Sequence, residues 1–178
     1  HPLMMPKKVI LDPEITVGLP SHLTAATGMD ALSHSLEAFC APGYHPMARG
    51  IAVEAIGLVK NWLPLAVSDG ANIEARTHML VASTMGATAF QRGLGAMHAL
   101  AHSLGAQFGA HHGILNAILM PYVLKANRSV IEDDIAWLAG VIGLEASFDA
   151  FQNWIIDLCA ELDIPHNLAD IGITPDCV

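Results

Sequence analysis

Two pairs of residues in this 178-residue sequence stand four apart and carry side chains that bind metal ions, Asp30 with His34 and His98 with His102. On a helix, that spacing puts both side chains on adjacent turns of one face, within reach of a common atom. A further His111-His112-Gly113 follows soon after the second pair. One carboxylate with two or three neutral imidazoles is an N/O ligand set suited to Zn or Fe(II). Ala26, Thr27, Ala31 and Ala38 flank the first pair, and Gly105, Ala106 and Gly109 complete the face of the second. Small side chains on both faces are a poor way to fill a core, so the two faces are expected to leave room for one shared metal with an open position. Spacing does not decide which two of His98, His102 and His112 ligate. Taken singly, the pairs also read as a solvated Asp–His pair and as two core histidines; their conjunction favours the metal.

Helices must position these residues. The sequence predicts an all-α chain of about seven helices, at 21–40, 46–68, 72–91, 97–109, 113–126, 130–142 and 147–162, after a short extended segment over 1–20. Ala41-Pro42-Gly43, Ser68-Asp69-Gly70, Gly93-Leu94-Gly95 and Asn127-Arg128-Ser129 mark the breaks, and Ser147 with Asp149 opens the last helix. Pro64 is expected to bend or shorten the second helix. Met29, Leu32, Leu36 and Phe39 form an apolar stripe opposite Asp30 and His34, and Leu100, Leu104 and Phe108 form one opposite His98 and His102. Between Thr77 and Leu124 the only charged residue is Arg92. A stretch so poor in charge is expected to be interior on most sides. Glu37 reads as a helix-surface acid, His111 as a residue at a helix start, and His22, His45, His78 and His166 as cap, loop or core residues.

Composition narrows the class. With 53% hydrophobic and 14% charged residues, the chain folds; such a composition does not stay disordered. Eight Lys and Arg against 17 Asp and Glu give a net charge of -9, which argues against nucleic acid as a partner. The low charge content suggests surface meant for another domain or subunit. Cys40, Cys159 and Cys177 form no C-x-x-C motif and no disulfide framework, so a reducing, cytoplasmic setting is expected. No signal peptide and no run long enough for a membrane span is apparent. P-loop, G-x-S-x-G and dinucleotide fingerprints are absent, since Gly93-Leu94-Gly95 follows no strand.

At Thr24-Ala25-Ala26-Thr27-Gly28-Met29-Asp30-Ala31-Leu32-Ser33-His34, Gly93-Leu94-Gly95-Ala96-Met97-His98 through His102, and His111-His112-Gly113 with Asn116 and Met120-Pro121-Tyr122, the sequence resembles the iron-containing (group III) alcohol dehydrogenases. The resemblance covers nearly the whole chain. It implies that Asp30, His34, His98 and His112 are the metal ligands. It places His102 against the nicotinamide and substrate as the catalytic and cofactor-contacting residue. It further implies Fe(II), with Zn possible, NAD or NADP, and reversible hydride transfer between a primary alcohol and an aldehyde in a homo-oligomeric enzyme. Family members begin with a nucleotide-binding domain and end with further helices. Residues 1–20 are therefore expected to lead from that missing domain, and residues 21–178 to be the helical metal-binding domain without its last helices. Glycerol dehydrogenases, maleylacetate reductases and dehydroquinate synthases share the scaffold, but Asp30 followed by His34 favours the alcohol dehydrogenases. A non-catalytic metal-binding helical module is the alternative from another class.

Overall fold

Capping residues set the helix boundaries. In the computed structural model, which describes residues 6–174 and 176, His45 Nδ1 accepts from the Ala48 amide at 3.2 Å and opens α2 (Pro46–Ser68) with proline at its first position. Asn72 caps α3 (Ile73–Ala89) through the Ala75 amide, and Ser147 caps α6 (Phe148–Glu161) through the Ala150 amide. Each cap satisfies one of the amides a helix start leaves without a partner. The first helix, α1 (Ser21–Cys40), stops before Pro42, which disfavours helical backbone at Ala41. A fourth, α4 (Ala96–Phe108), ends on Gly109 at φ 66°, a left-handed turn that glycine adopts freely. Short 3-10 turns occupy Pro13–Thr16, Phe90–Arg92 and Leu168–Ile171. Among the described residues there is no strand. The expectations for residues 1–5 and for Cys177 fall outside the described residues.

Two predicted helices are one. α5 runs unbroken from His112 to Val141, through the Asn127-Arg128-Ser129 break the sequence suggested. Those residues are polar because they are on the outer face. Asn127 donates to the Val123 carbonyl at 2.8 Å, and Arg128 pairs with Glu132 one turn on and with Asp149 of α6, both at 2.7 Å. Neither glycine nor proline interrupts them, so nothing ends the helix. Pro64 likewise lies inside α2 without ending it. The N-terminal expectation also shifts, because Asp12 caps the short 3-10 turn where an extended segment was expected.

α1 is the axis of the packing. Its Met29, Leu32, Leu36 and Phe39 are at most 1% exposed, as the periodicity predicts. It packs against α2, α3 and α5, while α4 and α6 lie on α5. α2 is long and apolar enough to cross a membrane by length and composition, but its Ala52, Ala55, Ile56, Val59 and Leu63 form a buried stripe within this bundle. Arg92, the lone charge of its stretch, donates to the carbonyls of Phe39, Ala41 and Gly43 at the end of α1. The charge-poor stretch is interior only in part. Ile118 and Met120 of α5 are buried, whereas Ser83, Thr84, Thr88, Ala99 and Leu100 of α3 and α4 are exposed.

Glycine sets the α1–α5 distance. A Cβ on Gly113 would stand 2.2 Å from the Ala26 carbonyl oxygen, a backbone atom that cannot step aside. Gly50, exposed in α2, has nothing within 4 Å of its hypothetical Cβ. Gly113→Ala is therefore expected to lower stability by about 1–3 kcal/mol through overpacking. Gly50→Ala should raise it by roughly 0.5–1 kcal/mol through the lost chain entropy of glycine. Chemical denaturation of the two variants checks both signs; equal midpoints would refute the close-approach argument.

Candidate metal centre

Three helices converge on one point because α1 carries Asp30 and His34, α4 carries His98, and α5 carries His112 and Asn116. The ligand-capable atoms of Asp30, His34 and His98 all lie within 4.8 Å of one another. His34 Nε2 stands 3.7 Å from Asp30 Oδ2, while His98 Nε2 and His112 Nε2 stand 3.9 and 3.5 Å from Asp30 Oδ1. The His34 and His98 rings stack at 4.8 Å, and Phe90 closes the outer edge of His34 at 4.9 Å. His98 is only 1% exposed, and Asp30, His34 and His112 are half-buried.

The cluster has more acceptors than donors. Asn116 Nδ2 lies 2.8 Å from Asp30 Oδ1, 3.0 Å from His112 Nε2 and 3.2 Å from His98 Nε2. An amide nitrogen carries two hydrogens, so it cannot satisfy three acceptors together. Its partner oxygen, Asn116 Oδ1, is buried with no hydrogen bond. Burial holds the His34 imidazole below the ordinary value, overcoming the opposing pull of Asp30, and it lowers His112 in the same way. Imidazole lone pairs and one carboxylate that a single amide nitrogen cannot serve together form a set that a divalent cation would satisfy. The residues fit such an ion.

His102 comes to the rim of this cluster. Its ring is 4.8 Å from His112 and 6.0 Å from His98, and the residue is exposed. α4 follows its periodicity in part: Leu104 and Phe108 pack half-buried against the core, whereas Leu100 is 47% exposed and Met97, His98 and Ala101 are the fully buried residues. The helix thus turns His98 inward together with the later part of its apolar stripe. Two small residues of α1 serve close packing. Ala26 and Ala31 meet the backbones of α5 and α3 at Gly113 and Gly86.

Two residues of the neighbourhood were not legible as such. Glu37 is buried, not a surface acid, and receives the Gly95 and Met97 amides and His98 Nδ1 at 2.7–2.9 Å. Burial alone would raise its carboxyl, but these bonds hold it below the ordinary value. Its placement three residues after His34, on the same face, was the available signal. Asn116 was part of a quoted motif without a role; its place one turn after His112 is what brings it in. The thiols contribute nothing here, since burial pushes Cys40 up to about 12 and Cys159 up to about 11, leaving both protonated and unreactive. His45 is a cap, and His78 stacks on Trp62 at 4.2 Å, away from the cluster.

The model of the Fe-containing alcohol dehydrogenase family, C-terminal, matches residues 24–178. A 4-hydroxybutyrate dehydrogenase of Cupriavidus necator is 43% identical, over 97% of this chain and 47% of its own length. Among solved structures, the maleylacetate reductase of Rhizobium sp. strain MTP-10005 superposes with a TM-score of 0.88 at 29% identity, over 99% of this chain and 49% of that one. A sulfoacetaldehyde reductase from Bifidobacterium kashiwanohense, solved in complex with NAD+, gives 0.84 at 32% identity, over 93% and 44%. The chain thus spans about half the length of the relatives it matches. It belongs to the Fe-containing alcohol dehydrogenase family, and residues 24–178 correspond to the C-terminal domain of that family.

Proposed function

We propose that this chain is the metal-binding catalytic half of an NAD(P)-dependent alcohol dehydrogenase that interconverts primary alcohols and aldehydes. The observation that carries the reading is the convergence of Asp30, His34, His98 and His112 from three helices, with one side left open beside His102. A divalent ion held there, Fe(II) or Zn, supplies a Lewis acid toward an alcohol or carbonyl oxygen. The protein's residues do the rest. Asp30 brings the one carboxylate charge, burial holds the His34 and His112 imidazoles below their ordinary value, and Phe90 packs edge-on against the His34 ring of the His34–His98 stack. His102, exposed at the open rim, is placed to contact substrate and nicotinamide and to pass a proton between substrate and solvent.

The other wall of the site belongs, in this reading, to a nucleotide-binding domain outside these 178 residues. Relatives about twice as long support it, as does a relative that holds NAD+. So do Leu94 and Leu100, 38% and 47% exposed on the segment that carries His98 and His102. The 4-hydroxybutyrate dehydrogenase likeness favours a small terminal alcohol as substrate. The maleylacetate reductase likeness makes that reaction the second entry for an activity panel.

Protein purified anaerobically without chelator is expected to carry about one equivalent of Fe or Zn per chain, lost in His34→Ala and His98→Ala. Plasma emission measures it, and full occupancy in His98→Ala would sink the ligand assignment. In the intact enzyme His102→Ala should keep the metal and lose roughly 10²–10⁴-fold in turnover, the usual range for an acid–base residue; a metal-free His102→Ala protein would make His102 a ligand instead.

Stability without metal has a predicted pH dependence. His34 and His112 sit below their ordinary value of 6.5 in the fold, so on acidification the unfolded chain takes up protons before the folded one does. The metal-free protein should be steady above that value and lose stability as pH falls through the folded values, with Glu37 adding to the loss below 4.5. Denaturant midpoints at pH 8 and pH 5 test the sign; a higher midpoint at pH 5 would refute it.

A further inference from the structure

We propose that Glu37 is a positioning residue of the metal centre, holding the His98 ring by Nδ1 so that the Nε2 lone pair points into the cluster. The proposal rests on the metal reading above and adds a residue to it. Glu37 is 7% exposed, and its two oxygens receive three donors, the Gly95 amide at 2.9 Å, the Met97 amide at 2.7 Å and His98 Nδ1 at 2.7 Å. The two amides belong to the first turn of α4, where backbone donors have no partner within the helix and the helix dipole favours a negative charge. One carboxylate of α1 therefore caps α4 and grips the imidazole that the same turn carries.

The chemistry of the pair fixes the tautomer. An ionised carboxylate only accepts, so His98 Nδ1 carries the proton and Nε2 the lone pair. That Nε2 faces Asp30 Oδ1 at 3.9 Å and Asn116 Nδ2 at 3.2 Å, on the side where the other ligand atoms gather. Carboxylate bonds to the far nitrogen of a ligating histidine orient the ring and raise its basicity toward the metal. Gly95 permits the approach, because a Cβ there would stand 2.9 Å from Glu37 Oε1.

Glu37→Gln keeps the shape but offers one acceptor oxygen for three donors. With its amide NH2 toward His98, it moves the ring proton to Nε2 and removes the ligand lone pair. With its oxygen toward His98, it sets NH2 against the Met97 amide. The test is run on the intact protein, stripped of metal and labelled with ring-15N histidine. Solid-state 15N spectra, with a difference spectrum against His98→Gln for assignment, report the tautomer, and chelator competition reports the affinity for Zn alone. The expected results are Nδ1–H at His98 in the unsubstituted protein and about 10–100-fold weaker Zn binding in Glu37→Gln, at unchanged helical circular dichroism. Protonated Nε2 at metal-free His98 in the unsubstituted protein overturns the proposal, and that measurement needs no variant to fold. Equal Zn affinity in a folded Glu37→Gln protein also overturns it. A protein that binds no Zn before substitution overturns the metal reading itself, an outcome distinct from both.

Discussion

Everything in this site depends on how closely α5 can approach α1. The contact at Gly113 and Ala26 brings a helix start against another helix's backbone, and His112 and Asn116 reach Asp30 only because of it. On the opposite side Gly86 of α3 meets Ala31 and the Cβ of His34, and Gly28 receives the end of Leu63 from α2. α1 is thus gripped by three neighbours at glycine contacts while its polar residues stay in line. Interiors packed this tightly relax little when an atom is added, so the position of the ligand atoms is a consequence of the helix spacing. Small residues on these faces are also the means of bringing the Asp30, His34 and His112 side chains together.

A second constraint is electrostatic. The cluster concentrates acceptors, namely a carboxylate and imidazoles that burial holds neutral, around an amide that cannot serve them all. Left so, it costs free energy, since buried polar groups without partners are rare in folded proteins. The fold tolerates the arrangement next to Glu37, which is fully engaged by three donors. Glu37, buried, is satisfied by three protein donors, whereas half-buried Asp30 accepts one bond from Asn116 and otherwise faces imidazole nitrogens. Under the proposed function, that asymmetry separates a ligand from a support among the two acids of α1.

The sequence made α1 legible almost entirely. Its apolar positions recur at helical spacing on a helix buried along one stripe, and Asp30 and His34 project from the other side as that period requires. α4 was legible in length and only partly in orientation. Leu104 and Phe108 of its stripe pack against the core, but Leu100 does not, and the helix also buries His98, whose ring a carboxylate on α1 holds. Local pattern reports which face is apolar, not which face the tertiary partner claims. The break expected at Asn127-Arg128-Ser129 failed for a related reason. Polar residues mark an outer face as readily as a loop, and only glycine or proline would have settled the matter. Glu37 escaped notice because an acid on a helix is usually solvated.

The charge-poor stretch from Thr77 to Leu124 holds the last step of the synthesis. Low charge was read as burial, and α3 and α4 show that it is so only in part, for they also expose Ser, Thr, Ala and Leu where an ordinary surface carries Lys and Glu. A surface without charge, on the same segments that bear His98 and His102, is cheap to cover and costly to leave wet. Phe90 lies against His34 of the cluster, and exposed His102 borders the cluster on that surface. Under the proposed function this is one fact seen twice. Hydride transfer would need a nicotinamide held beside these residues with water excluded. The face that must be covered for that chemistry is also the face whose composition asks for a cover.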